Sequence, residues 1–268
     1  MAILLPVAQT SNETGAFLNL KIKIIAVDGV LRNPSLLSNL SVHFPPEIIQ
    51  VINAVKPADL QREELNDLLD MSSFAIGRKV TQTEVAVMIS HQKCYALASQ
   101  EGCDFLIVLE DDVEVTKDSR IVNLLEDLPE SEVPTIWTLF KSRWSAWHIE
   151  GNETVASFPP PCAAAYVMNN GALRSALKEK SIGVADWPIW SFGVKFKLID
   201  NAGFVLLDTP SYIESGRETR IFGSNILALM KRKKSSKLVS RKWPFIFRVL
   251  IPLKWRFYRI KSRILPVE

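Results

Sequence analysis

The sequence predicts an α/β fold, a mostly parallel sheet with helices on both faces. Two observations carry this. Short continuous apolar runs recur along the chain, such as Phe105–Leu109, without the alternation of a half-exposed strand. Amphipathic stretches of helical period separate them. The 268 residues are 47% hydrophobic and 23% charged, the composition of an ordinary globular protein with room for one large domain.

Taken in order, Ile22–Gly29 (IKIIAVDG) reads as a buried strand closed by an Asp-Gly turn. Asn33–Leu40 follows as a helix, with Pro34 at its start and Leu36, Leu37 and Leu40 on one side. Glu47–Val55 reads as a second strand, and Asp59–Asp70 as an amphipathic helix with Leu60, Leu65, Leu68 and Leu69 inward. Thr81–Gly102 is the clearest helix. Thr81 and Glu84 form a capping-box pattern, Tyr95 and Ala98 belong to its buried face, and Gly102 stops it. The strand Asp104–Leu109 comes next. Ser119–Leu128 reads as a helix, Pro134–Phe140 as a strand and Lys141–Pro161 as a loop. Cys162–Asn170 is a strand, and a helix runs from Gly171 to about Lys180. Val184–Trp190 and Val194–Asn201 close the fold, and no internal repeat is present.

The chain divides by charge. Residues 231–268 hold 13 Lys or Arg and one acid, Glu268, a balance of +12. The remainder carries −9, so the net charge of +3 hides an acidic body and a basic tail. Three organisational units are expected: an extension over 1–20, a domain over 21–230 and a tail over 231–268. Cys94, Cys103 and Cys162 match no zinc spacing and read as reduced core residues. The N-terminus lacks a basic segment before its apolar residues, and no apolar run reaches the length of a membrane span. The expected location is the cytoplasm.

The strand Phe105–Leu109 runs straight into Glu110, Asp111 and Asp112. Acids at a strand end could simply mark the surface. Three together raise one another's cost, and a divalent cation relieves it. Hard oxygen ligands of this kind suit Mn²⁺ or Mg²⁺ shared with substrate phosphates. In open α/β sheets ligands bind beyond the carboxyl ends of strands, where these acids stand.

Thr83–Val115 (TEVAVMISHQKCYALASQEGCDFLIVLEDDVEV) resembles the central block of glycosyltransferase family 25, the lipooligosaccharide and collagen galactosyltransferase group. Glu84, Ser90, His91, Glu110, Asp111, Asp112 and Val113 match that pattern. VDGVLRNPSLLSNL resembles the family's first strand and arginine-bearing helix start, and AAAYVMNNGALRSAL with VADWPIW its later strand, helix and aspartate motif. The resemblance spans roughly residues 21–210. Thr83, Ala86 and Val87 depart from the usual Gly, Gly and Cys, and Ala185 precedes Asp186 where Val is usual.

The resemblance implies a GT-A-like nucleotide-sugar-binding fold and an inverting, metal-dependent transfer of a sugar from a nucleotide diphosphate to an acceptor hydroxyl, galactose from UDP-galactose being the family's commonest case. Asp112 would hold Mn²⁺ or Mg²⁺. Glu110 and Asp111 would accept hydrogen bonds from ribose or metal-bound water. Arg32 would contact donor phosphate, with Glu84 and His91 supporting the donor site. Asp186 would be the general base, with Trp187 and Trp190 against the acceptor sugar. His148 is a further candidate metal ligand. The tail alternates basic and aromatic residues, suited to an anionic membrane surface carrying a lipid-linked glycan. The acidic body argues against nucleic acid. Two alternatives remain: a non-catalytic membrane-surface adaptor, and a nucleotidyltransferase, which would want more glycines near the first strand than Gly29.

Overall fold

A computed structural model describes residues 19–116, 119, 121, 125, 128, 132–140, 147–156, 160, 163–178, 182–199 and 202–206. Nearly all of the extension expected at 1–20, the basic tail and Cys162 lie outside the described residues, as does most of the helix expected at 119–128, of which Ile121 and Leu125 are helical and buried.

Twelve strands and four α-helices are described. They are β1 (Leu20–Ala26), α1 (Leu36–His43), β2 (Ile49–Asn53), α2 (Arg62–Ile76), α3 (Gln82–Gln100), β3 (Phe105–Glu110), β4 (Val113–Val115), β5 (Thr135–Thr138), β6 (Trp147–Glu150), β7 (Glu153–Ala156), β8 (Ala165–Asn169), α4 (Asn170–Lys178), β9 (Gly183–Val184), β10 (Trp187–Pro188), β11 (Lys195–Leu198) and β12 (Phe204–Leu206).

Eight strands form one sheet in the order β2-β1-β3-β8-β5-β11-β7-β6. By pairing it is mixed. By direction it is mostly parallel, because only β8 and β7 run against the others. β1, β2 and β3 are mutually parallel neighbours, so Ala26, Asn53 and Glu110 end at one edge of the sheet. β4 and β12 pair antiparallel beyond that edge, and β9 with β10 forms a short hairpin.

Alternate residues of the central strands enter separate cores. Ile22, Ile24, Ile107 and Leu109 pack with Leu36 and Leu40 of α1 on one face. Ile25, Leu106 and Val108 pack with Cys94, Tyr95 and Ala98 of α3 and with Ala172, Leu173 and Ala176 of α4 on the other. Helices therefore cover both faces, which is why the strands read as unbroken apolar runs.

Several boundaries differ from the sequence reading. α2 starts at Arg62 and continues to Ile76, where Gly77 at φ 78° ends it. The second strand shrinks to Ile49–Asn53 because Pro45 and Pro46 shape a 3₁₀ turn before it. The expected loop at 141–161 contains the hairpin β6–β7, turned at Gly151 (φ 61°) and held by pairing of β7 with β11. The segment Val184–Trp190 falls in a hairpin, Gly183–Pro188, that leads into a 3₁₀ turn at Ile189–Gly193.

Candidate active site

Glu110 ends β3, its N–H donating to the Ala164 carbonyl at 2.7 Å. The chain then turns through Asp111 and Asp112. Asn33, buried between β1 and α1, fastens this turn. Its backbone N–H donates to the Asp111 carbonyl (3.1 Å), and its side-chain amide to the Val113 carbonyl (3.0 Å). Its own Oδ1 accepts from the Ser35 N–H and hydroxyl, so the amide orientation is set from both sides.

The same anchoring brings Arg32 over the acids. Arg32 Nε donates to Asp111 Oδ1 at 2.7 Å, Nη2 lies 2.6 Å from that oxygen, and Nη2 is 3.0 Å from Asp112 Oδ2. Burial works against the guanidinium's charge, but Asp111 and Asp112 outweigh it and hold its pKa above the ordinary value. The other two oxygens, Asp111 Oδ2 and Asp112 Oδ1, are buried and accept no hydrogen bond from the described residues. Asp112 titrates at about 6 instead of 3.8. Burial is the chief cause and the charge of Glu110 the next, opposed by Arg32.

His91 lies on the face of α3 that packs on the sheet, 2% exposed. Its Nε2 is 3.3 Å from Glu110 Oε1, and its Nδ1 is 2.8 Å from the Tyr166 hydroxyl. The Tyr166 hydroxyl is in turn 2.5 Å from that of Tyr95. The ring of His91 stacks on Tyr166 at 5.9 Å between centroids.

Asp186 sits in the turn between β9 and β10, with Oδ1 accepting the Ala163 N–H at 2.9 Å. The neighbouring Ala164 carbonyl is the one that holds the Glu110 backbone, so one short segment ties the Asp186 carboxylate and the end of β3 to the same region. Beside it lies a small pocket, partly open to solvent, walled by Asp186, Tyr95, Tyr166, Pro188, Trp190 and Phe196. Trp190 is nearly buried and meets Tyr95 edge to face at 5.7 Å. Trp187 follows Asp186 directly in β10, paired with Val184.

The fold thus gathers Arg32, His91, Glu110, Asp111 and Asp112, with Asp186 and Trp190 on the adjoining pocket. It does not bring Glu84 to them. That carboxylate is held by Arg78 at 2.5 Å and by Thr81 in the capping box, two helical turns or about 10 Å along α3 from His91. Burial raises its pKa, but Arg78 and Thr81 outweigh burial and leave it below the ordinary value. His148 lies on β6, five strands from β3, about 24 Å away at ordinary strand spacing, and contacts Glu150. Sequence reasoning assigned no site role to Asn33, Tyr95 or Tyr166. Tyr95 stands one helical turn after His91, and Tyr166 carries the one hydroxyl of its strand; these were the available signals.

Among the described residues no three His, Cys, Asp or Glu side chains form a ready metal cage. The acids nevertheless suit Mn²⁺ or Mg²⁺, which take one or two carboxylates and complete their shell with water and substrate phosphate. Two buried carboxylate oxygens without partners are donors of that kind.

The strands, the acid turn at a parallel strand end and the adjoining pocket define an α/β protein with a candidate ligand site at the carboxyl edge of its sheet. Residues 43–158 match the model of glycosyltransferase family 25, described as LPS biosynthesis protein. That segment contains His91 and all three acids, so the family resemblance holds where its most specific motif lies, and it supports a glycosyltransferase. Arg32 and Asp186 fall outside it. No curated protein matches the chain. Among solved structures it is similar to mannose-1-phosphate geranyltransferase from Thermus thermophilus, at 13% identity and a TM-score of 0.37, over 68% of this chain and 74% of that one.

Proposed function

We propose that the protein transfers a sugar, best galactose from UDP-galactose, with inversion onto a hydroxyl of a surface-glycan acceptor. One observation carries the reading: the buried, unpartnered oxygens of Asp111 and Asp112 beside the Arg32 fork, within the segment that matches the family. Asp112 and Asp111 would hold Mn²⁺ or Mg²⁺, which supplies positive charge to the departing diphosphate. Arg32 would offer guanidinium donors to the same phosphates. Glu110 would accept a ribose hydroxyl, kept in place by His91. Asp186 would take the acceptor's proton as the new C–O bond forms and the sugar–diphosphate bond breaks. The aromatic wall at Trp190, with Trp187 beside it in sequence, would border the acceptor.

Melting temperatures with uridine, guanosine and cytidine diphosphate sugars, with and without Mn²⁺, test the donor reading. The expected result is a rise with one uridine diphosphate sugar that needs Mn²⁺ and disappears in Asp112→Ala. No rise with any donor would overturn it.

No helix among the described residues is long and apolar enough to cross a membrane. For residues 231–268 we propose a separate surface-binding tail that keeps the domain on the cytoplasmic leaflet, near a lipid-linked acceptor. Equal pelleting with neutral and anionic vesicles would remove the electrostatic part of that assignment.

A further inference from the structure

We propose that Tyr166, with Tyr95 behind it, is a positioning residue that acts through His91 to fix the Glu110 carboxylate. This rests on the donor-binding role given to Glu110 above.

Proton accounting gives the chain of hydrogen bonds one direction. An ionised Glu110 only accepts, so His91 Nε2 carries the hydrogen it donates across 3.3 Å. In the neutral ring Nδ1 is then an acceptor, and the Tyr166 hydroxyl donates to it across 2.8 Å. The Tyr166 oxygen is left to accept from Tyr95 across 2.5 Å. Tyr95 → Tyr166 → His91 → Glu110 satisfies every hydrogen bond. A charged imidazole breaks this order. Nδ1–H would turn the Tyr166 hydroxyl toward Tyr95, whose own buried hydrogen would then lack an acceptor among the described residues. Burial pushes both phenols well above their usual range, so both remain donors.

The placement gives the chain consequences at the site. Tyr166 stands on β8 opposite Val108 of β3, and His91 and Tyr95 are one turn apart on α3. The network therefore spans strand and helix, and its members cannot shift singly. His91 takes one oxygen of Glu110 and so orients the other. Both phenols also wall the pocket beside Asp186, which links that pocket to the acid turn through four side chains.

A double-mutant cycle with Tyr166→Phe and Glu110→Gln, read by calorimetric binding of UDP with Mn²⁺, tests this. Phenylalanine keeps the ring and its packing. Tyr166→Phe is expected to weaken UDP binding about tenfold, the scale of one hydrogen bond, and Tyr95→Phe by less. In the Glu110→Gln background Tyr166→Phe should have little further effect. Equal losses in both backgrounds, or no loss, would overturn the proposal while leaving the donor reading intact. If the wild type binds no UDP, the donor reading fails, and nitrogen NMR of His91 decides the network by itself. A hydrogen on Nε2 alone, with the Nδ1 resonance moving in Tyr166→Phe, supports it. A hydrogen on Nδ1 overturns it.

Discussion

Asp112→Asn should stabilise the metal-free protein and remove its response to Mn²⁺. The carboxyl titrates at about 6 in the fold against an ordinary 3.8. Two units at about 1.4 kcal/mol each would make the ionised form about 3 kcal/mol worse folded than unfolded. The side chain keeps 12% exposure, and water at its edge screens part of that cost, so about 1–2 kcal/mol is the expected gain on neutralisation. The sign follows from proton binding. Between about 3.8 and 6 the native state binds more protons than the unfolded chain, so wild-type stability rises as pH falls through that window. The asparagine variant cannot titrate, and its advantage is largest above pH 6 and gone near pH 4. Urea unfolding with chelator at pH 7.5 and pH 4.5 measures both. Addition of Mn²⁺ at pH 7.5 should then raise the wild type and leave the variant unchanged. A variant no more stable than wild type at pH 7.5, or an advantage that grows on acidification, would falsify the reasoning about Asp112.

Other substitutions test the frame around the site. Lys23 is 1% exposed on β1, bonded to Gln50 (2.6 Å) and Glu101 (2.5 Å); Lys23→Met should be neutral or stabilising by up to about 2 kcal/mol in urea unfolding, because Glu101 can still reach water. Glu101→Ala should instead cost about 2–3 kcal/mol by stranding the buried ammonium. Gly171→Ala would set a Cβ 2.7 Å from the Glu132 carbonyl oxygen and 3.3 Å from the Pro134 backbone, and should lower stability by about 1–3 kcal/mol in the same assay. Glu84→Gln should cost about 1–2 kcal/mol at neutral pH. Since the Glu84 pKa is lowered in the fold, that difference is full above its ordinary 4.5 and is lost as pH falls through the folded value.

The sheet was legible because burial on both faces leaves a plain mark. Ile22–Ala26 and Phe105–Leu109 are apolar at every position but Lys23, whose ammonium is neutralised by partners distant in sequence. The long helix was legible through its capping box, which forms as Thr81 and Glu84 suggest. β6 and β7 were not, since their pairing depends on the edge of β11, some forty residues later. At the site, spacing could identify the acids and their strand end but not their partners. Arg32 reaches Asp111 across 79 positions, and Tyr166 reaches His91 across 75. Glu84 was ambiguous for a physical reason. A glutamate three residues after Thr81 satisfies the capping rule and a family motif equally well, and only the position of Arg78 shows where its charge is used.

Stability alone does not account for an acid turn of this construction. A fold free to choose would leave Asp112 in water or make it an asparagine, and it would not pack three carboxylates behind a rigid buried strand. Arg32 offsets part of the repulsion, but one guanidinium cannot match three acids, and two buried oxygens remain without partners. The remaining negative charge lies between the Asn33 anchor and the His91 network, both of which restrict how far the turn can relax. A turn held so firmly in an unfavourable state is what a cation-dependent site requires. The unfavourable charge is present in the metal-free fold, and under the proposed function a bound cation would relieve it.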